Sequence, residues 1–397
     1  MKYVLSVEIF LALIHSFLFV MQYFLQDFRY FKFSTFLFVF MIGNICVGQT
    51  LHISQKVYKL PESEHVFKGG KPCAIMDDNT FLIADHTSES ILKYNNDIFL
   101  AEFSFDSIPP EFVYQILEKY YPEANWINPD IVRKWQGDSF QFFDLFDVIY
   151  AENSVFTLFY FEGFFLESAG FVKNHGYKMV AEFDKNLVLQ NIALIQYPDL
   201  QAAVYERSFP YPDIQGGYFI DGKNLIIKNG ASEKDFSVTT TPALFKYKKM
   251  NSDLFVYENS LPIFPDTTFG IPDFDEYDMT RYNIINCNGN MFFSDGKNII
   301  DANGEKIFSV QNGNAIILDF DCASYPLFTI LYSIPDSTFS SWSFNIGLLN
   351  LETNHFEMQQ INPNATHRFH SFSVKNKTIL LLANAEDGIY VYEYFVE

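Results

Sequence analysis

Beyond about residue 66 the chain reads as short apolar runs separated by clusters of Asp, Asn, Gly and Pro, the punctuation of an all-β protein. The stretch NTFLIADHTSESILKYNND (79–97) shows the pattern clearly. TFLIAD (80–85) and SILKYN (90–95) are strand-sized, HTSE between them is polar and loop-like, and NND leads into the apolar run IFLAEFSF. Three antiparallel strands within so short a span predict a meander. YFIDGKNLIIKNGASEKDFSV (218–238) and MFFSDGKNIIDANGEKIFSV (291–310) repeat one plan: strand, Asp-Gly-Lys-Asn, strand, a turn containing Asn-Gly, then Phe-Ser-Val. Asp-Gly and Asn-Gly suit two-residue hairpins because both positions there take positive φ.

Internal repetition in an all-β chain predicts a radial array, in which neighbouring sheets cover each other's faces. Similar units fall at about 66–105, 140–195, 201–260, 273–312, 314–362 and 366–397, so the expected fold is an all-β β-propeller of about six blades, with seven as the alternative count. LHISQKVYKL (51–60) and GIYVYEYFVE (388–397) are lone strands, and pairing them in one blade would close the ring without an open edge. One segment breaks the rhythm. In DSIPPEFVYQILEKYYPEANW (106–126), apolar residues at 112, 113, 116, 117 and 120 follow prolines and a glutamate, which predicts a helical insertion between the first two units.

Residues 71–103, KPCAIMDDNTFLIADHTSESILKYNNDIFLAEF, resemble an NHL-type repeat: a Pro before the first strand, Asp-Asn leading into the second, Ala-Asp at its end, then ILKYN and a turn. The resemblance implies that Asp85 ends a strand and caps the following loop through backbone N–H groups, a structural role. Taken with the export signal described below, the chain resembles six-bladed NHL-like propeller proteins of the Bacteroidetes. Lactonase-like propellers of similar design hold a calcium ion in the central channel by Glu, Asn and Asp from several blades. That resemblance implies an alternative activity, a calcium-dependent lactonase- or esterase-like hydrolase.

Composition sharpens this picture. The 46 Phe and 24 Tyr among 397 residues suit pleated, half-buried surfaces. A formal charge of −21 and the lack of any clustered Lys/Arg run argue against a nucleic-acid partner. The first 48 residues differ from the rest. YVLSVEIFLALIHSFLFVMQYF (3–24) is an apolar run of membrane-spanning length, and RYFKFSTFLFVFMIGNICVGQT (29–50) has the charged, apolar and small-residue regions of a secretory signal, with cleavage expected after Gly48. The first run reads as an overextended start, half of a helical hairpin anchor, or an uncleaved signal anchor. The expected organisation is a signal or membrane segment over 1–48 and a propeller domain over 49–397, exported to the periplasm or outer surface. Any membrane contact is then made only through the N-terminal segment.

Candidate chemistry is sparse. No nucleophile elbow, zinc-protease motif, phosphate loop or dinucleotide fingerprint occurs. Asp273, Asp275, Glu276 and Asp278 in DFDEYD form a candidate calcium site, without the fixed spacing of an EF-hand. DFD (319–321) is a lesser one, and His367 and His370 in HRFH sit three apart on an expected strand, which points them to opposite faces. No other cofactor is expected. Three cysteines follow Gly48, Cys73, Cys287 and Cys322, which permits one disulfide; buried thiols are the simpler expectation. Trp126 and Trp135 flank WINPDIVRKW beside the insertion. They are the candidate ligand-binding residues, either as an aromatic platform for a sugar or as anchors that pin the insertion. The triplets 106–108, 266–268 and 336–338 resemble the short O-glycosylation pattern of exported Bacteroidetes proteins. The expected function is that of a binding or scaffold module for a glycan or protein partner.

Overall fold

The structure is a computed structural model that describes residues 51–60, 73–77, 79–137, 140–167, 170–196, 218–221, 224–229, 243–262, 284–294, 296–310, 315–335, 342–364 and 367–396. The chain divides into two units at Thr50, and the described residues belong to the second.

The described chain is built almost wholly of strands. After β1 (Ile53–Lys59) come β2–β5 (Cys73–Asp77, Thr80–Asp85, Ser90–Asn95, Ile98–Ser104), then an insertion of α1 (Pro110–Tyr120), β6 (Asn125–Trp126) and α2 (Pro129–Gln136). Next come β7–β10 (Phe143–Ala151, Ser154–Leu166, Val172–Asp184, Leu189–Gln196) and β11–β14 (Tyr218–Asp221, Asn224–Asn229, Ala243–Asn251, Leu254–Pro262). β15–β18 (Ile284–Cys287, Asn290–Ser294, Asn298–Asp301, Lys306–Ser309) and β19–β22 (Ile316–Ser324, Leu327–Pro335, Trp342–Asn350, His355–Ile361) follow. β23–β25 (Arg368–Lys375, Thr378–Ala385, Gly388–Val396) complete the chain.

β2–β5, β15–β18 and β19–β22 each form a four-stranded antiparallel meander, and β23–β24–β25 is completed by β1, which pairs antiparallel with β25 from Ile53↔Val396 to Lys59↔Tyr390. β7–β10 and β11–β14 share one nine-stranded sheet with β6, where the sequence pattern predicts two separate units. The link is a short parallel pairing of β10 with β14 at Leu194↔Leu254 to Gln196↔Val256.

The arrangement is propeller-like. First strands of successive groups touch: β2 meets β7, β11 meets β15, β15 meets β19, β19 meets β23, and β23 returns to β2. Apolar clusters lie between neighbouring groups. Ile75, Phe81 and Ile83 pack with Leu380, Leu382 and Val391, and Leu82 and Ile91 face the cluster of Phe159, Phe161 and Phe183. With both faces covered, β3 is buried at all six positions, so its sequence is a continuous apolar run. The outer strand β22 alternates between covered and exposed positions.

Charged side chains close the inner edges. Glu89 Oε2 accepts from Leu145 N at 2.6 Å, Asp319 Oδ2 from Val374 N at 2.7 Å and Asp321 Oδ2 from Asn376 N at 2.7 Å. Lys375 Nζ donates to the carbonyls of Ile75 and Met76. Each bond ties one group of strands to the next, Glu89 from the β3–β4 loop and the others from β19 and β23, and satisfies a backbone group. The DFD triplet thus serves these joints.

Turn chemistry follows the sequence. Asp85 ends β3 and caps the following loop: Oδ1 accepts from Thr87 N at 2.9 Å and Oδ2 from the Ser88 hydroxyl at 2.8 Å. The polar loop after it is divided: Thr87 and Ser88 at its tip are exposed, while His86 and Glu89 are buried. Glu152 and Asn153 both take positive φ between β7 and β8, the backbone of a tight twisted hairpin. Cys287 on β15 and Cys322 on β19 form a disulfide between neighbouring sheets, against the expectation of free thiols, and Cys73 is the buried thiol that remains.

Candidate functional site

The insertion is longer than the sequence pattern predicts. α1 begins at Pro110, whose fixed φ suits the first turn. It buries Val113, Tyr114, Ile116 and Leu117, leaving Phe112 exposed. α2, which the periodicity did not predict, carries its signal at its N-terminus. Asn128 caps it by accepting from Asp130 N at 2.8 Å, Pro129 takes the first helical position, and the helix stops at Gly137 with φ +103°.

α1 and the segment leading into α2 lean on the β8–β9 hairpin, which outgrows its sheet. β7 pairs with β8 only as far as Phe143↔Phe161, while β8 and β9 continue to Leu166↔Val172. On this extension Tyr114 Oη accepts from Phe164 N at 2.9 Å, and Ile127 N donates to Phe164 O at 2.9 Å.

Trp126 and Trp135 occupy different environments. The Trp126 ring packs edge-on against Tyr114, Phe165 and Tyr177, with centroids 5.7–5.8 Å away. Gly163 permits this approach, because a Cβ there would lie 2.9 Å from the Tyr177 ring and 3.2 Å from that of Trp126. Trp126 Nε1 is buried with no hydrogen-bond partner among the described residues. Trp135 instead is 57% exposed on α2, one turn beyond Ile131 at 40%.

Burial governs the titrating groups here. It pushes the Tyr114 and Tyr121 hydroxyls up to about 12 and brings the His175 imidazole, edge-on to the Tyr177 ring, down to about 4.

The C-terminal end of α1 grips the turn between β13 and β14. Lys119 Nζ lies 2.7 Å from Asp253 Oδ2, and Tyr120 Oη donates to Asp253 Oδ1 at 2.7 Å. Burial alone would raise the Asp253 carboxyl, but the hydrogen bonds from Lys119 and Tyr120 outweigh it and hold the group below the usual range. Beside this turn is a cavity of about 240 Å³, lined by Glu152, Ser154, Phe156, Val180, Glu182, Asn191, Ala193, Lys249 and Phe255.

Asp273, Asp275, Glu276 and Asp278 lie outside the described residues, as do the triplets at 266–268 and 336–338. Among the described residues no group of three or more His, Cys, Asp or Glu is placed to hold a metal ion. His367 uses both ring nitrogens within the protein, Nδ1 at 2.8 Å from Tyr392 Oη and Nε2 at 3.2 Å from Asn364 Nδ2, while the side chain of His370 is outside the described set. Among the described residues no helix is long and apolar enough to cross a membrane.

No family model matches the chain, and no curated protein matches it. Solved structures similar to it include streptogramin B lyase (10% identity, TM-score 0.40, 87% of this chain and 98% of that one). A Bacteroides fragilis protein described as exported has 10% identity and a TM-score of 0.41 over 87% of this chain and 95% of that one. The hemagglutinin-neuraminidase of parainfluenza virus 5 has 8% identity and a TM-score of 0.42 over 88% and 96%. Likenesses this distant assign neither a family nor an activity to the chain.

Proposed function

We propose that the chain is an exported six-bladed propeller, NHL-like in its first blade, that acts as a binding module and docks a protein partner on its inserted segment. In this reading the nine-stranded sheet counts as two blades, β7–β10 and β11–β14, joined through β10 and β14. Six inner strands and the β1–β25 closure support the count. The signal-like segment ending near Gly48 supports export, and so does the Cys287–Cys322 disulfide, since such bonds persist in oxidising compartments.

The observation that carries the binding role is where large apolar side chains meet solvent. Phe112, Ile131, Trp135, Leu166, Phe171 and Val172 are all exposed, and all belong to the inserted helices or to the hairpin extension that holds them. Other large apolar side chains are exposed on the strands, Ile98, Phe99 and Leu100 among them, but those on an insertion over a rigid frame are the ones that support an interaction surface. Ile131 and Trp135, one helical turn apart with Lys134 beside them, suit the apolar centre and charged rim of a protein interface better than the polar flanks of a sugar platform.

The test is retention of partners from the native envelope by the full-length protein and by its Ile131→Asp, Trp135→Asp double variant. Loss of a specific partner in the variant supports the reading, and identical partners for both would defeat it. Glycan binding that disappears with Trp135→Ala would move the partner class to carbohydrate. A saturable rise in melting temperature with calcium would instead favour the hydrolase and bring Asp273, Asp275, Glu276 and Asp278 to the centre of the account.

A further inference from the structure

The cavity beside the β13–β14 turn is a site of a different kind from the docking surface on the insertion. Its walls come from two cross-strand rows. Phe156, Glu182 and Asn191 are register partners across β8, β9 and β10, so they share one sheet face, and Lys249 and Phe255 are partners across β13 and β14. The rows meet where Lys249 Nζ lies 3.2 Å from Glu182 Oε2. Val180 and Ala193, buried partners of one another, form an apolar floor, while Glu152 and Ser154 stand at the rim on the β7–β8 hairpin. Phe156, Val180, Ala193 and Phe255 belong to one packed core cluster, so the walls are pre-formed.

Size and chemistry restrict the occupant. A volume of about 240 Å³ is below the roughly 300–1,000 Å³ of sites for drug-sized ligands, which leaves room for a single small ring. The lining offers carboxylate acceptors (Glu152, Glu182), cationic and amide donors (Lys249, Asn191) and a hydroxyl (Ser154) around two phenyl rings. A hydroxyl group both donates and accepts, so a ring bearing several can answer carboxylate and ammonium together, while Phe156 and Phe255, both buried, only back the wall. An anion would face two carboxylates in a chain of charge −21. A cationic amine would compete with Lys249 for Glu182.

We propose that this cavity binds a neutral polyhydroxylated ring, a single pyranose unit, with Glu182 and Lys249 as the paired acceptor and donor. The proposal does not depend on the protein partner of the inserted segment. The unit could be a free monosaccharide or the end of a glycan chain, since the chemistry at the cavity is the same.

Saturation-transfer NMR on the full-length protein tests it, with glucose, galactose and mannose, their methyl glycosides and short oligosaccharides, and with ethanolamine and acetate as charged controls. A neutral sugar should saturate at about millimolar concentration, as expected for so small a ligand. Glu182→Gln should weaken that binding about tenfold, the loss of one charge-assisted hydrogen bond. Glu152→Gln, on the exposed turn, gives a second reading should Glu182→Gln fail to fold, with weakening in the same direction. Methyl glycosides that bind as well as free sugars identify a chain end as the ligand, and binding by reducing sugars alone identifies the free form. Absence of saturable binding by every neutral sugar, binding of ethanolamine alone, or sugar affinity unchanged in both variants would each overturn the assignment.

Discussion

Tyr120 Oη donates to Asp253 Oδ1 at 2.7 Å, joining the last turn of the inserted helix to a hairpin more than 130 residues away in sequence. Lys119 bonds the other oxygen of the same carboxylate, and Leu194 N donates to the Asp253 carbonyl at 2.9 Å. One residue therefore anchors both the insertion and the parallel join of β10 with β14. A double-mutant cycle on Tyr120→Phe and Asp253→Ala should give a coupling of about 1 kcal/mol, modest because the pair is partly solvated. Chemical denaturation measures it, and strictly additive single effects would show that the bond does not hold the helix.

Glu89, in the β3–β4 loop, tests the joint between the first two groups of strands. It is 1% exposed and its carboxylate receives the Leu145 N–H. Glu89→Ala would leave that buried donor without its acceptor and should cost about 2–4 kcal/mol in unfolding free energy, whereas Glu89→Gln keeps an acceptor and should cost less. Equal costs for the two would mean that the side chain acts only by filling space.

Much of this architecture is visible in the sequence because it is local. Turn residues mark the hairpins, the periodicity of 112–120 marks α1, and the apolar ends at 51–60 and 388–397 do pair, as β1 with β25. What escaped depends on distant partners. HTSE gives no sign that its Glu89 is buried against Leu145 of the second group of strands while Thr87 and Ser88 stay exposed. WINPDIVRKW holds α2, whose eight residues are too few for a clear apolar period, although Asn128 and Pro129 spell its cap. The pairing of Cys287 with Cys322 and the walls of the cavity arise only when separate strands meet. The candidate tryptophans were legible as a pair, but not their division into packed Trp126 and exposed Trp135.

His175 sets a pH dependence with a definite sign. Burial lowers its folded-state value to about 4, below that of the unfolded chain. Above about pH 6.5 the imidazole is neutral in both states and costs nothing. As the pH falls from there toward 4 the unfolded chain takes up a proton that the folded chain refuses, and stability declines by up to roughly 3 kcal/mol. Denaturation midpoints of the wild type and of His175→Phe should therefore draw apart in favour of the variant as the solution is acidified. A constant difference across that range would show that His175 is charged or solvated in the fold.

The surface on α2 is the claim on which the functional account rests. The most direct measurement is photo-crosslinking in intact envelopes from a reactive side chain placed at position 135, beside the same group at position 358, where Met358 is equally exposed on the outer strand β22. The account predicts a discrete crosslinked protein from position 135, abolished by Ile131→Asp, and none from 358. Crosslinks of equal yield from both positions, or none from 135, would contradict it.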